Sequence, residues 1–509
     1  MRRKIILLMT ILFVTIMFSC NTDTETKNNG VLPDGDNAGQ NNGDNIEEPA
    51  TEPPVERPNI PDGTDYGGYE FKVLVPKAFQ GTNSDFAEVY AEEENGDTLN
   101  DAIYKRNRIV EDLLNVKITV VVGSEWHGMT NSVKKSVQAG DDDFSAIDGA
   151  YQPPLAYAGC LENLYNAPNM DLSKAWWDQC MIETLSYKKS KLYYISGDIQ
   201  YYDKYGTACI LFNKRLFADN GFDYPYEKVR TGAWTLDEFS QLVKNFGRDL
   251  NGDGKMDEND QWGLTENSGA ALRVLFGCGE RIINLDNDGA PSLGAISERH
   301  IQAVMNIGEM LSDKNAVLIA DSGQLKHISD PYTDGVYKVF RNGQALFLGS
   351  QIVEVAKFRD MEDDFGVVPY PKLDANQKDY QSWTVSYGNG SAYSIPVSNT
   401  DLGRTGMILE TMAGYSSDTV IPALIDVSLK SKFARDEESA EMLELIFKTK
   451  TYDYALEYGW GAGVWNGLYG EYSQLTLKGS DTFVSSIEKQ TSKAEQDMEK
   501  FINTFDEMN

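Results

Sequence analysis

Hydrophobic and polar positions alternate over YEFKVLVP (69–76), which places Tyr69, Phe71, Val73 and Val75 on one side of a predicted strand. The period then changes. From Asp97, a candidate N-cap, Leu99, Ala102, Ile103, Val110 and Leu113 recur at helical spacing. VKITVVV (116–122) predicts the next strand, a polar helical stretch follows, and DFSAIDGAY (143–151) closes the series. Strand, helix, strand, helix, strand predicts a parallel α/β lobe. Further on, TLDEFSQLVKNF (235–246) carries Leu236, Phe239, Leu242, Val243 and Phe246 on one stripe, with Thr235 and Glu238 spaced as a capping box. Near the end, Ile487, Ala494, Met498, Phe501 and Phe505 predict a long, polar-backed helix docked on the body.

The first 66 residues follow none of these periods. MRRK and the fourteen-residue run IILLMTILFVTIMF give a basic head and an apolar stretch too short for a comfortable membrane span, ending at Ser19-Cys20. Residues 1–20 thus resemble a bacterial lipoprotein signal, whose cleavage leaves Cys20 lipidated at the outer face of the cell membrane. Met17 and Phe18 depart from the usual pattern of such signals. Residues 21–66 are rich in Asn, Asp, Gly, Glu, Pro and Thr, and they predict a disordered tether, because so little apolar surface cannot offset the entropy of ordering. Apart from Cys20, the cysteines are Cys160, Cys180, Cys209 and Cys278. None is spaced as CxxC, and buried thiols and disulfides stay equally open.

Charge narrows the partners. Among 509 residues, 78 Asp and Glu face 46 Lys and Arg, a formal charge of −32 that would repel a phosphate backbone, so no nucleic acid is expected. There is no Walker A loop and no GxSxG, and His127, His300 and His327 have no metal-ligand spacing. Trp126, Trp176 and Trp177 read as packing residues. No enzyme is expected, although a carboxylate pair for glycoside hydrolysis needs only proximity in space, which sequence cannot reveal. A hydrolase and a glycan-docking adhesin therefore stay open beside a binding protein.

One loop carries metal-site chemistry. DLNGDGKMDEND (249–260) puts Asp249, Asn251, Asp253, Lys255 (through its carbonyl), Asp257 and Asp260 at positions 1, 3, 5, 7, 9 and 12 of an EF-hand pattern, with Gly254 at the sharp turn. The last position is Asp where a longer Glu is usual, which resembles dockerin-type loops. A structural calcium ion is expected there, stapling the end of the 235–246 helix.

The order of motifs then becomes informative. GDTLNDAIYKRNRIVEDLLNVKITV, KLYYISGD, LFNKRLFADNGFD, WTLDEFSQLVK, QWGL after the acidic loop, FRNGQALFLGS, DDFGVVPYPK and SAYSIP follow one another between residues 69 and 470. The series resembles the family 1 extracellular solute-binding lipoproteins of bacterial ATP-binding-cassette importers, which mostly bind carbohydrates. The resemblance implies an α/β, two-lobed periplasmic-binding-protein-like (class II) fold with hinge crossovers. Lobe 1 would hold 67–205 plus about 371–425, and lobe 2 would hold 206–370 plus about 426–509, with TACILFNKRLF and FGVVPYPK crossing between them. It also implies a monomer that captures sugar for a membrane permease. Pyranose rings stack their C–H faces on aromatics while fixed polar groups take the hydroxyls. Carried over by motif, the expected contacts are Tyr151, Gln152, Tyr202, Asp203, Tyr205, Ser350, Gln351, Trp383, Tyr387, Trp460 and Trp465.

Overall fold

A computed structural model describes residues 56–77, 88–124, 126–149, 152–294, 297–384, 392–427, 436–460, 467–479 and 483–508. The signal with Cys20, most of the tether, and Tyr151, Tyr387 and Trp465 lie outside the described residues.

Two sheets organise the body. In the first, Tyr69–Val75 is flanked by parallel partners, Val116–Val122 on one side and Ala146–Asp148 on the other. Tyr393–Ser394 returns from far along the chain to lie antiparallel beside Ala146–Asp148. Phe71, Val73 and Val75 are buried as their alternation predicts, and so is Leu74 on the opposite face. A parallel strand covered on both sides loses its polar face. The helix Thr98–Leu114 connects the first two strands, and the Asp97 side chain caps it by accepting from the Leu99 and Asn100 amides. Leu402–Ser416 and Val420–Val427 pack on that helix, so the late segment rejoins the early one.

The second sheet runs in the order Phe365–Val368, Ala208–Asn213, Ala345–Gln351, Trp262–Glu266 and Val317–Ile319. Its last three strands are parallel, while Ala208–Asn213 is antiparallel to both its neighbours. The two predicted crossover segments are therefore adjacent, with Gly366 opposite Phe212.

Three readings need correction. The chain meets the body before Tyr66: Arg57 pairs with Asp418 and lies 4.6 Å over the Tyr415 ring, and Ile60 packs on the core. Thr235 begins the helix Leu236–Lys244 without a side-chain cap bond. The Leu236 amide instead donates to the Lys372 carbonyl at 2.7 Å, and Glu238 pairs with Lys228, so neither half of the capping box forms. The terminal helix Phe483–Glu507 buries Ile487, Ala494, Phe501 and Phe505 as expected. Its last turns, however, pack on Tyr187 and Tyr193, in the segment expected to form the first lobe.

Cys160, Cys180, Cys209 and Cys278 are separate thiols. Burial pushes the Cys180 thiol up to about 11, which keeps it protonated and unreactive. Trp176 and Trp177 are packed in the core. Among the described residues no helix is long and apolar enough to cross a membrane.

Candidate functional site

In open α/β sheets, ligands sit outside the carboxyl ends of the strands, where successive connections leave in opposite directions. In the first sheet, Tyr69–Val75 has one parallel neighbour on each side, so its carboxyl edge is such a place. Asp148 ends one strand there and stands directly opposite Tyr393 in the antiparallel pair. Gln200 Nε2 donates to Asp148 Oδ1 at 2.5 Å. Glu88 shares a hydrogen bond with the Asp148 carboxyl and accepts the Tyr201 and Tyr202 amides through Oε2, each at 3.0 Å. Burial first, and the Glu88 charge second, push the Asp148 carboxyl well above the usual aspartate range.

Arg106 lies behind this pair, fully buried, with its guanidinium already committed. It donates to the Glu88, Val89 and Ile199 carbonyls at 3.2, 2.9 and 3.2 Å, to Asn107 Oδ1 at 3.0 Å and to Ser416 Oγ at 3.4 Å. Two atoms of the cluster are not so served. Gln200 Oε1 and Tyr393 Oη have no hydrogen-bond partner among the described residues, although both residues are 0% exposed.

The carboxyl edge of the second sheet is built differently. Glu266 accepts from Arg273 Nε and Nη2 at 3.1 and 2.7 Å, from Tyr370 Oη at 2.6 Å and from the Asn267 amide at 2.8 Å. One strand further out, Asp321 accepts the Ser268 amide at 2.8 Å and Tyr332 Oη at 2.7 Å. Tyr332 sits in the π-helical turn Pro331–Tyr337 with its ring 38% exposed, an aromatic held by its hydroxyl at the rim of the edge.

The residues expected from motif are scattered over these surroundings. Gln152 ties its helix to the returning strand, donating to the Ala392 carbonyl at 2.8 Å and accepting from Ser394 Oγ at 2.5 Å. Tyr202 and Tyr205 pack with Tyr201, ring centroids 5.1 and 5.4 Å apart, next to Glu88. Asp203 is buried in ion pairs with Lys450 and Lys204, and Lys450 also reaches Asp178 at 2.5 Å. Ser350 and Gln351 end the strand Ala345–Gln351, where Gln351 Nε2 donates to the Gly206 carbonyl at 2.8 Å.

Trp383 and Trp460 are not brought together. Trp383 stacks on Phe276 at 5.6 Å, whereas Trp460 stacks on Tyr454 at 6.1 Å and meets Phe501 edge-on at 5.1 Å. Sequence reasoning missed Glu88, Asp148, Gln200, Tyr393, Asp321 and Tyr332. Asp148, within the predicted strand segment 143–151, was the one signal available; the others meet it or its counterpart only through the fold.

The acidic loop is closed at its base by paired Arg248 and Gln261 backbones, at 2.9 and 3.0 Å. Trp262 Nε1 holds the Asp257 carbonyl at 2.9 Å. Asp249 accepts the Gly252 and Gly254 amides, Asn251 that of Asp253, Asp253 that of Lys255, and Asp257 that of Asn259. Asp260, 0% exposed, accepts the Leu250 and Asp257 amides at 2.9 Å each. The oxygen chemistry suits a hard cation. The convergence does not: among the described residues no three His, Cys, Asp or Glu side chains gather so as to hold a metal ion.

No protein-family model matches the chain, and no protein of curated function does either. Solved structures do. A sugar transporter of Rhizobium etli in an open conformation matches with a TM-score of 0.56 at 13% identity, over 84% of this chain and 99% of that one. A cyclo/maltodextrin-binding protein complexed with maltotetraose gives 0.53 at 13% identity, over 85% and 97%. The apo form of RafE from Streptococcus pneumoniae gives 0.50 at 16%, over 87% and 98%. The fold is that of the two-lobed substrate-binding proteins. Ala208–Asn213 and Phe365–Val368, the two segments expected as crossovers, pair antiparallel with each other within the second sheet.

Proposed function

We propose that the protein is a non-enzymatic capture protein that binds a sugar or small oligosaccharide for a membrane importer. The observation that carries this reading is the pair of fully buried polar atoms, Gln200 Oε1 and Tyr393 Oη, that have no partner among the described residues at the carboxyl edge of the first sheet. Buried polar groups are nearly always paired, and a ligand hydroxyl supplies what these two lack. Tyr332 at the other edge offers a C–H-stacking face with its hydroxyl fixed by Asp321.

The likeness to a cyclo/maltodextrin-binding protein complexed with maltotetraose supports the ligand class. The signal-like N-terminus supports lipid anchoring through Cys20 at the outer face of the membrane, and the fold supports a permease partner for a monomeric, ligand-closed form. A hydrolase finds no support in the buried acids: Glu88 and Asp148 touch, whereas glycosidase carboxylates stand about 5 Å or more apart. Calcium at 249–260 stays in the proposal as a stapling ion, on the strength of the loop's oxygen-ligand spacing.

The test is thermal unfolding of the mature chain against mono- and oligosaccharides, with calcium and with chelator. A rise of several degrees with one sugar class is expected, since a ligand specific to the native state stabilises it by mass action. A flat response to every sugar in protein that melts cooperatively removes the capture reading. An unchanged melt at saturating chelator removes the metal.

A further inference from the structure

We infer that the ligand of the first edge is an uncharged sugar, and that sugars carrying a carboxylate are rejected there. The inference rests on the capture reading above and adds the charge class. Tyr393 and Asp148 are directly opposed across an antiparallel pair, so their side chains leave the same face of the sheet. Gln200 is anchored to Asp148 through its nitrogen, which leaves its amide oxygen beside the same carboxyl. The group that fills this place meets a phenol, an amide oxygen and an acid pair: donors and acceptors suited to hydroxyls.

Among the described residues, no cation near these edges is on offer to an anionic ligand. Arg106 spends its guanidinium on three carbonyls, an amide oxygen and a hydroxyl. Lys204, whose ammonium contacts the Gln200 carbonyl, stands 3.3 Å from Asp203 and 3.9 Å from Asp198. Lys450 is shared by Asp178 and Asp203. At the second edge Arg273 is locked on Glu266 and Asn267. Among the described residues, every buried cation named near either edge already has its partner, while the Glu88–Asp148 pair holds a negative charge of its own and Asp321 is a further acid.

A uronate entering such a site would lose its water and gain no counter-charge, and the acid pair would oppose it. The raised Asp148 carboxyl agrees with this picture, because a site that already strains to hold one negative charge has no room for a second. A neutral sugar carries no such cost.

The experiment is calorimetric titration of the mature chain with neutral tetrasaccharides (gluco-, manno-, galacto- and xylo-configured) and with oligogalacturonate and oligoglucuronate. One neutral class is expected to bind, with the uronates about a hundredfold weaker or undetected. A uronate binding as tightly as any neutral sugar overturns the charge class and leaves the capture reading intact. Binding of no sugar at all overturns both. Glu88→Gln, checked for a cooperative melt, is expected to raise uronate affinity about tenfold by removing the charge of the pair. Uronate affinity unchanged in that variant overturns the inference.

Discussion

The two carboxyl edges use similar residues and reach opposite hydrogen-bonding states. Around Glu266 every oxygen is engaged: a bidentate arginine, a tyrosine hydroxyl and a backbone amide converge on one carboxylate. Around Asp148 a carboxyl pair, a glutamine and a tyrosine are equally buried, yet two polar atoms have no partner among the described residues. A satisfied buried network rigidifies, whereas a partly satisfied one costs stability until something completes it. Under the capture reading proposed above, the second edge is scaffold at its centre with a contact face at its rim, and the first edge is the place left for ligand.

The comparison breaks most sharply at Arg273. Arg273→Ala leaves Glu266 buried without its counter-ion and is expected to cost about 3–5 kcal/mol in urea unfolding. A loss below 1 kcal/mol would mean that the Glu266 network is not the scaffold claimed here.

Glu410, buried in the helix Leu402–Ser416 away from both edges, measures what burial alone does to a carboxyl. It accepts Trp177 Nε1 at 2.8 Å and the Asp171 amide at 3.2 Å, yet burial pushes it up to about 7. Its folded value lies above the unfolded one, so the folded state holds the extra proton between pH 4.5 and 7. Stability conferred at low pH is lost across that window and stays lost above it. Relative to Glu410→Gln, which cannot ionise, the native chain is expected to lose about 2–3 kcal/mol between pH 4.5 and pH 8. Parallel pH profiles of the two proteins would show that this carboxyl titrates normally.

Much of this architecture was legible in the sequence, and for reasons that explain what was not. Period-2 runs such as YEFKVLV and VKITVVV report burial within one element, so the strands and the Asp97 cap came out as read. The capping box at Thr235 failed on its acidic half because Glu238 turns to Lys228, a partner that the local spacing does not reveal. The site was less legible still. Glu88, Asp148, Gln200 and Tyr393 are far apart along the chain and meet only because the returning strand pairs with Ala146–Asp148. Aromatic content drew attention to Trp383 and Trp460, whose ring faces the structure gives to Phe276 and Tyr454. Large aromatic surface serves core and cleft equally well, and its composition carries no label for either.

At the first edge the comparison is sharpened by taking away one oxygen. Tyr393→Phe removes a hydroxyl that has no partner in the described structure, so stability should change by less than about 1 kcal/mol, with a gain as acceptable as a loss. Sugar affinity should fall about tenfold, because the ligand hydroxyl then faces an apolar ring edge. A large destabilisation with unchanged affinity would reverse the assignment and make the hydroxyl structural.

The smallest stability effect and the last test belong to the rim of the second edge. Tyr332 is 38% exposed and anchored only through its hydroxyl to Asp321, so Tyr332→Ala should leave unfolding within about 0.5 kcal/mol of the native chain. If the ring stacks on a pyranose, affinity falls several-fold, and Tyr332→Phe, which keeps the ring but loses the bond to Asp321, recovers most of it. Should alanine and phenylalanine bind sugar equally well, the ring is not a wall of the cleft. The second edge would then be scaffold throughout, and the contrast between the two edges would be complete rather than partial.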